Sequence, residues 1–246
     1  MSTFYIKNNQ IDGENIRIIG DDVKHIKKVL RYNIDDSIEL CDENGVAYEG
    51  QIYEYTENDE ILCKIIKIIE KNNELPYTLD LYQGLPKSDK LETVIQKCAE
   101  LGITSITPVQ MARSVAKIND EKGNKKLDRW NKIAAEASKQ CGRQKIPLVN
   151  NLIIFENIIE NISKYDIVLV PYESEENISI KQILKGLKSN IASIAIVIGP
   201  EGGFSEEEIS LLKERGAKIC TLGQRILRTE TAAIATVSMI NYELEL

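Results

Sequence analysis

At 246 residues with 43% hydrophobic content, the chain is long enough to bury one large core, or a small and a medium one, without disulfide or metal staples. Its five cysteines (Cys41, Cys63, Cys98, Cys141 and Cys220) are odd in number and widely spaced, with no C-x-x-C pair, which argues against a disulfide framework and a metal site and points to a reducing, cytoplasmic setting. No apolar run approaches a membrane span, the first residues lack an export signal, and the net charge of −7 argues at first sight against a nucleic-acid partner.

The charge is unevenly distributed. Residues 1–72 hold 9 Lys/Arg against 15 Asp/Glu, which leaves a balance of −1 for the rest. Within that remainder, residues 111–147 carry ten basic side chains (Arg113, Lys117, Lys122, Lys125, Lys126, Arg129, Lys132, Lys139, Arg143 and Lys145) against four acids. A +6 segment in an acidic chain is either a solvated helix face or a local nucleic-acid footprint.

In chain order, D-D-V-K-H-I-K-K-V-L-R places Val23, Ile26, Val29 and Leu30 at helical spacing, with Lys24, Lys27, Lys28 and Arg31 on the remaining surface. Residues 37–69 read as strands broken by Asn44-Gly45 and by Asn58-Asp59, the first of these a strong hairpin signal, and a small antiparallel barrel follows. Lys71 to Glu74 and Pro76 mark a boundary, giving domains 1–72 and 73–246. Beyond it strands and helices alternate. T-L-D-L-Y-Q-G-L is a strand, and Leu91, Val94, Ile95, Cys98 and Leu101 form one face of a helix ending at Gly102. The strand I-T-S-I-T-P-V, an Ala-rich helix over 130–140 and the strand D-I-V-L-V follow. I-A-S-I-A-I-V-I is apolar on both faces, as a buried parallel strand must be, so an α/β sheet covered by helices is predicted.

Two runs concentrate the chemistry. In I-G-P-E-G-G-F-S-E-E-E a buried strand ends in a turn where Gly199, Gly202 and Gly203 hold nothing away from the main chain. Ser205 and Glu208 form a capping box, and Gly216 ends the helix. The layout repeats about twenty residues later: strand K-I-C-T-L, a turn at Gly223, then a helix capped by Thr229 or Thr231. Arg225 and Arg228 in that turn are surface charges or an anion grip. Ligands of open α/β sheets bind beyond the carboxyl ends of strands, where both turns lie. The Lys-Ser/Thr of a P-loop and the spacing of a dinucleotide fingerprint are missing, which disfavours nucleotide triphosphates and weakens an oxidoreductase reading. His25, the single histidine, reads as a packed or RNA-contacting residue, and Trp130 as core or interface. Tyr5, Tyr32, Tyr48, Tyr53 and Tyr55 are either stacking platforms for nucleic-acid bases or, as strand tyrosines usually are, sheet cover.

I-G-P-E-G-G-F-S-E-E-E together with L-G-Q-R-I-L-R-T-E-T-A-A resembles the SPOUT superfamily of methyltransferases, and within it the small-subunit (16S) ribosomal RNA uridine N3-methyltransferases. H-I-K-K-V-L-R, Q-G-L-P-K-S-D-K-L-E-T-V-I-Q-K-C-A-E-L-G, Arg113 to Val115 and E-A-S-K-Q-C-G-R extend the resemblance over nearly the whole chain. One departure is that the arginine common before the first aromatic pair is Thr3 here, so an RNA contact from that position is not carried over.

The resemblance implies a PUA-like β-barrel over 1–72 that holds RNA, followed by a knotted (trefoil) parallel-sheet SPOUT methyltransferase domain over 73–246. It implies S-adenosyl-L-methionine as cofactor, no metal, small-subunit ribosomal RNA as partner, and a homodimer with the pocket near its interface. Carried over by position, Leu169, Val170 and Pro171, with Tyr172 beside them, form one side of the cofactor site. Ile198, Gly199, Pro200, Glu201, Gly202 and Gly203 form a second, and Leu222, Gly223, Ile226, Leu227, Arg228, Thr229 and Thr231 a third. Arg143 matches a catalytic or RNA-holding arginine, or is one more phosphate contact. Arg228 or Arg143 is the cation for a developing uridine anion, and Glu230 either accepts the ring proton or favours its helix N-terminus. Glu201 fixes its loop or an interface. The competing readings are a SPOUT enzyme acting on another base or a ribose hydroxyl, and a non-catalytic RNA-binding assembly factor.

Overall fold

The computed structural model describes residues 3–70, 73–116, 120–187 and 191–244. Of the residues singled out above, Lys71, Lys117 and the side chain of Lys122 lie outside the described set. The chain falls into two compact units, Met1–Glu74 with Ser138–Lys145, and Leu75–Ala137 with Ile146–Leu246.

The first unit is a six-stranded mixed sheet built from β1 (Thr3–Tyr5), β2 (Ile11–Asp12), β3 (Asn15–Ile18), β4 (Ser37–Cys41), β5 (Ala47–Tyr55) and β6 (Ile61–Ile69), in the order β1-β4-β5-β6-β3-β2. The Asn44-Gly45 turn forms as expected. Gly45 has φ +83°, and Asp42 Oδ1 accepts the N–H groups of Asn44 and Val46, each at 2.9 Å. Four pairings are antiparallel, but β1 runs parallel to β4 because a long return through residues 6–36 separates them. Phe4, Ile16, Ile38, Leu40, Ile52 and Ile61 make the core.

The amphipathic segment after β3 differs from the simple helix its spacing predicts. One α turn, α1 (Asp21–Lys24), passes into a π-helix over His25–Leu30, closed by Arg31 in the left-handed region at φ +58°. The wider turn rotates Val29 outward to 65% exposure, while Val23 and Ile26 stay buried. His25 stands edge-on to Phe4, and Tyr48 and Tyr55 donate to Asp42 and to the Tyr32 carbonyl, so these aromatic groups serve their own sheet.

The second unit is a parallel sheet with helices on both faces. Its strands are β7 (Thr78–Gly84), β8 (Ser105–Gln110), β9 (Leu148–Val149), β10 (Ile153–Ile154), β11 (Ile167–Pro171), β12 (Ser193–Ile198) and β13 (Lys218–Cys220). The order is β10-β8-β7-β12-β11-β13, with β9 on β8. Alternate strand residues feed two cores. Leu79, Leu81, Leu169, Ile194 and Ile196 pack against α2 (Lys90–Glu100), α3 (Asp120–Cys141), α5 (Ile180–Lys185) and α7 (Thr229–Leu244), and Trp130 belongs to this core. Val168, Val170, Ala195 and Val197 pack against α4 (Phe155–Asn161) and α6 (Glu206–Glu214). At about 1.5–3 kcal/mol for each large side chain taken from water, burial on both faces explains why β11 and β12 are apolar throughout. The last residues of α3 are counted with the first unit. No helix among the described residues is long and apolar enough to cross a membrane.

Candidate active site

The carboxyl ends of β11 and β12 and the turn after β13 open into a cavity of about 450 Å³. Pro171, Tyr172 and Glu173 line it from β11, Ile198 to Glu201 with Gly203 and Phe204 from β12, and Thr221 to Thr229 from the second glycine turn. Lys90, at the start of α2, and Ala232 complete the wall. The two turns that the sequence places about twenty residues apart thus converge on one space, with room for a small organic ligand.

Local chemistry explains the shape of each wall. Gly203 adopts φ +68°, and a Cβ there would run into the Glu173 carboxylate. Gly84, at the end of β7, lies so close to the turn that a Cβ would sit 2.5 Å from the Pro200 nitrogen. The capping box forms as read, with Ser205 Oγ accepting from Glu208 N–H and Glu208 Oε2 accepting from Ser205 N–H at 2.8 Å. Glu208 does more than the motif implies. It is 5% exposed, and its other oxygen accepts the Ala112 N–H at 2.8 Å.

The two turns are bonded to each other. Thr229, the first residue of α7, donates its hydroxyl to the Gly199 carbonyl at 2.6 Å and accepts from Gln83 Nε2 at 2.8 Å. Gln83 is fully buried, and its Oε1 finds no hydrogen-bond partner among the described residues. In the second turn, Gly223 N–H is taken by Thr221 Oγ1, whereas the N–H groups of Gln224 to Leu227 find no acceptor among the described residues. An array of unused main-chain donors beside an apolar floor of Ile198, Phe204 and Leu222 suits an adenosyl group held by backbone contacts.

A charged cluster forms the remaining side. Lys90 Nζ lies 2.9 Å from Glu201 Oε1 and 3.6 Å from Glu230 Oε2. The second distance is an ion pair too long for a hydrogen bond, and Glu230 Oε2 is buried with no hydrogen-bond partner among the described residues. Burial pushes the Glu201 carboxyl up, but hydrogen bonds from Lys90 and from main-chain N–H groups outweigh it and hold it below the usual carboxylate range. Its hydrogen bond to Glu201 raises the Lys90 ammonium above its ordinary value. Arg225 and Arg228 line the cavity, exposed and without an ion pair among the described residues.

Of the residues expected from sequence, Pro171, Ile198 to Glu201, Gly203, Leu222, Gly223 and Ile226 to Thr229 line the cavity. Leu169 and Val170 are fully buried in the strand leading to it. Gly202 turns its carbonyl to Arg113 Nη1 at 3.2 Å, and Thr231 and Glu230 follow in the first turn of α7. Arg143 is elsewhere in the molecule's organisation. It belongs to the first unit and is 5% exposed, with Nη2 2.5 Å from Glu74 Oε2. Glu74 Oε1 also accepts the N–H groups of Gln144 and Lys145, and Tyr5 donates to the Arg143 carbonyl at 2.8 Å. Sequence reasoning assigned no site role to Gln83, Gly84 and Lys90, although they stand in the Q-G-L-P-K-S-D-K run that carries the resemblance, and it missed Glu173, which follows the end of β11 with no local signature.

Comparison with known proteins agrees with this geometry. Residues 73–241 match the family model described as an RNA methyltransferase domain, and residues 18–54 match an RNA methyltransferase PUA domain. The chain is 38% identical over 232 residues to the ribosomal RNA small subunit methyltransferase E of Bacillus subtilis (strain 168), covering 93% of this chain and 90% of that protein. It is 34% identical to the protein of that name from Aquifex aeolicus (strain VF5), covering 82% and 86%. A crystal structure of a ribosomal RNA small subunit methyltransferase E from Neisseria gonorrhoeae bound to S-adenosyl methionine superposes with a TM-score of 0.86 at 28% identity, covering 98% and 97%. A PUA-like mixed sheet, a parallel-sheet methyltransferase unit and these matches over both units place the chain in the RNA methyltransferase family of the ribosomal RNA small subunit methyltransferases E.

Proposed function

We propose that this chain methylates N3 of a specific uridine in the 16S ribosomal RNA of the small subunit, with S-adenosyl-L-methionine as methyl donor. The observation that carries the reading is the convergence of the Gly199–Gly203 and Leu222–Thr229 turns on one cavity, bonded together through Thr229 and Gly199. When bound, S-adenosylmethionine supplies a methyl group on a cationic sulfur, which keeps the bonding electron pair as a nucleophilic nitrogen takes the methyl. The unused N–H groups of Gln224 to Leu227 and the apolar side chains of Ile198 and Phe204 fit the adenosyl part.

A uridine nitrogen is a poor nucleophile until its proton is removed, so the chain's own charged groups matter most. Glu230 receives that proton at Oε2, which carries no hydrogen bond. Arg228, exposed on the cavity wall, balances the negative charge left on the ring. Arg143 is the other candidate cation. Its engagement with Glu74 favours a role in fixing the end of α3 in the first unit. Replacing Arg143 with Ala separates the roles: lost turnover with RNA binding retained assigns it to catalysis, whereas a drop in first-unit stability with turnover retained assigns it to structure.

By the same reading, residues 1–72 hold RNA and residues 73–246 form the catalytic domain of a cytoplasmic protein. The sheet order, in which β12 inserts between β7 and β11, supports a trefoil knot around the two turns. The chain works as a homodimer, a reading supported by the exposure of Ile226 (84%) and Tyr242 (73%). Sedimentation at micromolar concentration tests it. The deciding experiment is methyl transfer to small ribosomal subunits from a strain lacking this protein, followed by nucleoside analysis. Label in 3-methyluridine is expected. Label in a ribose or another base, or none, overturns the assignment.

A further inference from the structure

We infer that Lys90 is a further positioning residue of this reaction: its ammonium ties Glu201 of the first glycine turn to Glu230 of α7 and presents a Glu230 carboxylate whose Oε2 carries no hydrogen bond. The inference rests on the reading of the cavity as the methyl-transfer site.

Lys90 stands where helix chemistry disfavours it. It is the first residue of α2, where the helix dipole disfavours a cation. A solvent-screened ion pair contributes little to stability, so its pairing with Glu201 does little more than offset that cost. Stability is therefore a weak reason for a lysine at this position, and the geometry supplies another.

The turn leading into α2 is held from the glycine loop. Ser88 sits at φ +56°, a conformation uncommon outside glycine, in a segment whose Lys87 N–H is accepted by both oxygens of Glu201 at 3.1 and 3.3 Å. Glu201 thus holds the Lys87 main chain across 114 positions of sequence and pairs with Lys90, which lines the cavity. The ammonium also lies 3.6 Å from Glu230 Oε2, so that one cation serves two carboxylates. Arg228 adds a second cation near it, acting against the protonated form of Lys90. Without Lys90 the two carboxylates lose the counter-charge they share, and Glu201, no longer held down by the ammonium, takes up a proton at higher pH.

The experiment compares Lys90→Met, Lys90→Gln and Lys90→Arg with the wild-type full chain by three measurements. These are single-turnover methyl transfer to small subunits between pH 5.5 and 9, calorimetric titration with S-adenosylmethionine, and hydrogen exchange of the Lys87 amide in the cofactor-free protein. A single-turnover rate about 100-fold lower is expected for K90M and K90Q, the scale of a misplaced reacting group. Their acidic limb should move to higher pH, and their Lys87 amide should exchange faster. K90R should recover most of the rate. The inference is overturned if K90M and K90Q stay within about two-fold of wild type. It is also overturned if K90R is as slow as K90M while the pH profile stays in place, because a merely structural lysine behaves that way. A wild-type protein that neither binds the cofactor nor transfers methyl overturns the reading of the cavity instead, and the Lys87 exchange still reports on the lysine.

Discussion

Replacing Gly84 with Ala probes the cofactor wall from behind. Gly84 has no positive φ, so alanine meets no backbone strain of its own, and any penalty comes from the turn it touches. The added Cβ would lie 2.5 Å from Pro200 N, 2.6 Å from Pro200 Cδ and 2.9 Å from Gly199 C, all of them atoms of a main chain or a fixed ring. Ordinary contact begins near 3.4 Å, so the Gly199-Pro200 segment must retreat by about 0.9 Å. That segment carries the Gly199 carbonyl bonded to Thr229 and the turn preceding the Glu201 clamp. Overpacking of this kind costs about 1–3 kcal/mol of stability. A displacement near 1 Å in a binding wall costs about 100-fold in function. Calorimetric titration with S-adenosylmethionine and thermal denaturation of the same preparation measure both. The expected result is a folded protein with a lowered Tm and cofactor affinity weakened by about two orders of magnitude. A G84A protein that binds the cofactor within about two-fold of wild type would refute the claim that the turn's position against β7 shapes the pocket.

Thr229→Val deletes the hydroxyl that links the two turns and removes an acceptor from buried Gln83 Nε2, at a cost of about 1–3 kcal/mol in chemical denaturation and with weaker cofactor binding. Glu208→Ala removes both a helix cap and the acceptor for Ala112 N–H, and urea denaturation should show a loss of about 1–3 kcal/mol, against a few tenths for an exposed glutamate of the same helix such as Glu214. Glu74→Ala leaves the buried Arg143 guanidinium without its carboxylate, and should destabilise the first unit by about 3–5 kcal/mol, read as loss of hydrogen-exchange protection in β4 and β5. Asp166 is held below its ordinary 3.8 by the N–H groups of Ala192 and Ser193, so its contribution is present above that pH and fades as pH falls through the lowered value. The Tm difference between wild type and Asp166→Asn should accordingly be constant near neutrality and close below about pH 3.8.

The elements legible in the sequence are those whose causes are local. Ser205 and Glu208 are three residues apart, so the capping box is readable from the text. The Asn44-Gly45 turn and the helix face of Leu91, Val94, Ile95 and Cys98 are likewise set by neighbours within a few positions. The same reasoning fails at Val29, where a π-turn shifts the phase of a pattern that spacing alone reads as α-helical. It fails at β1 as well, where parallel pairing with β4 depends on a return that no local pattern encodes.

The walls of the cavity belong to the second class. Glycine runs at strand ends announce that main chain is exposed there, but the contacts that tie them to the β7–α2 segment connect Gln83 with Thr229, Lys87 with Glu201 and Lys90 with Glu230. Each joins segments more than a hundred positions apart, and these hydrogen bonds and this ion pair exist only once β12 lies beside β7 in the sheet. Arg143 shows the converse. Its motif suggested a working cation, whereas the fold brings Glu74 against a buried Arg143. Sequence by itself determined the strand ends, the Ser205 cap and the supply of charged groups, because these depend on propensities over a few residues, whereas the cap expected from Thr229 or Thr231 does not form, since both lie inside α7 and the Thr229 hydroxyl is drawn to Gly199. Tertiary structure decided which of those charges face the cavity and which are neutralised, because Coulomb interactions and hydrogen bonds act over a few ångströms of space and are indifferent to distance along the chain.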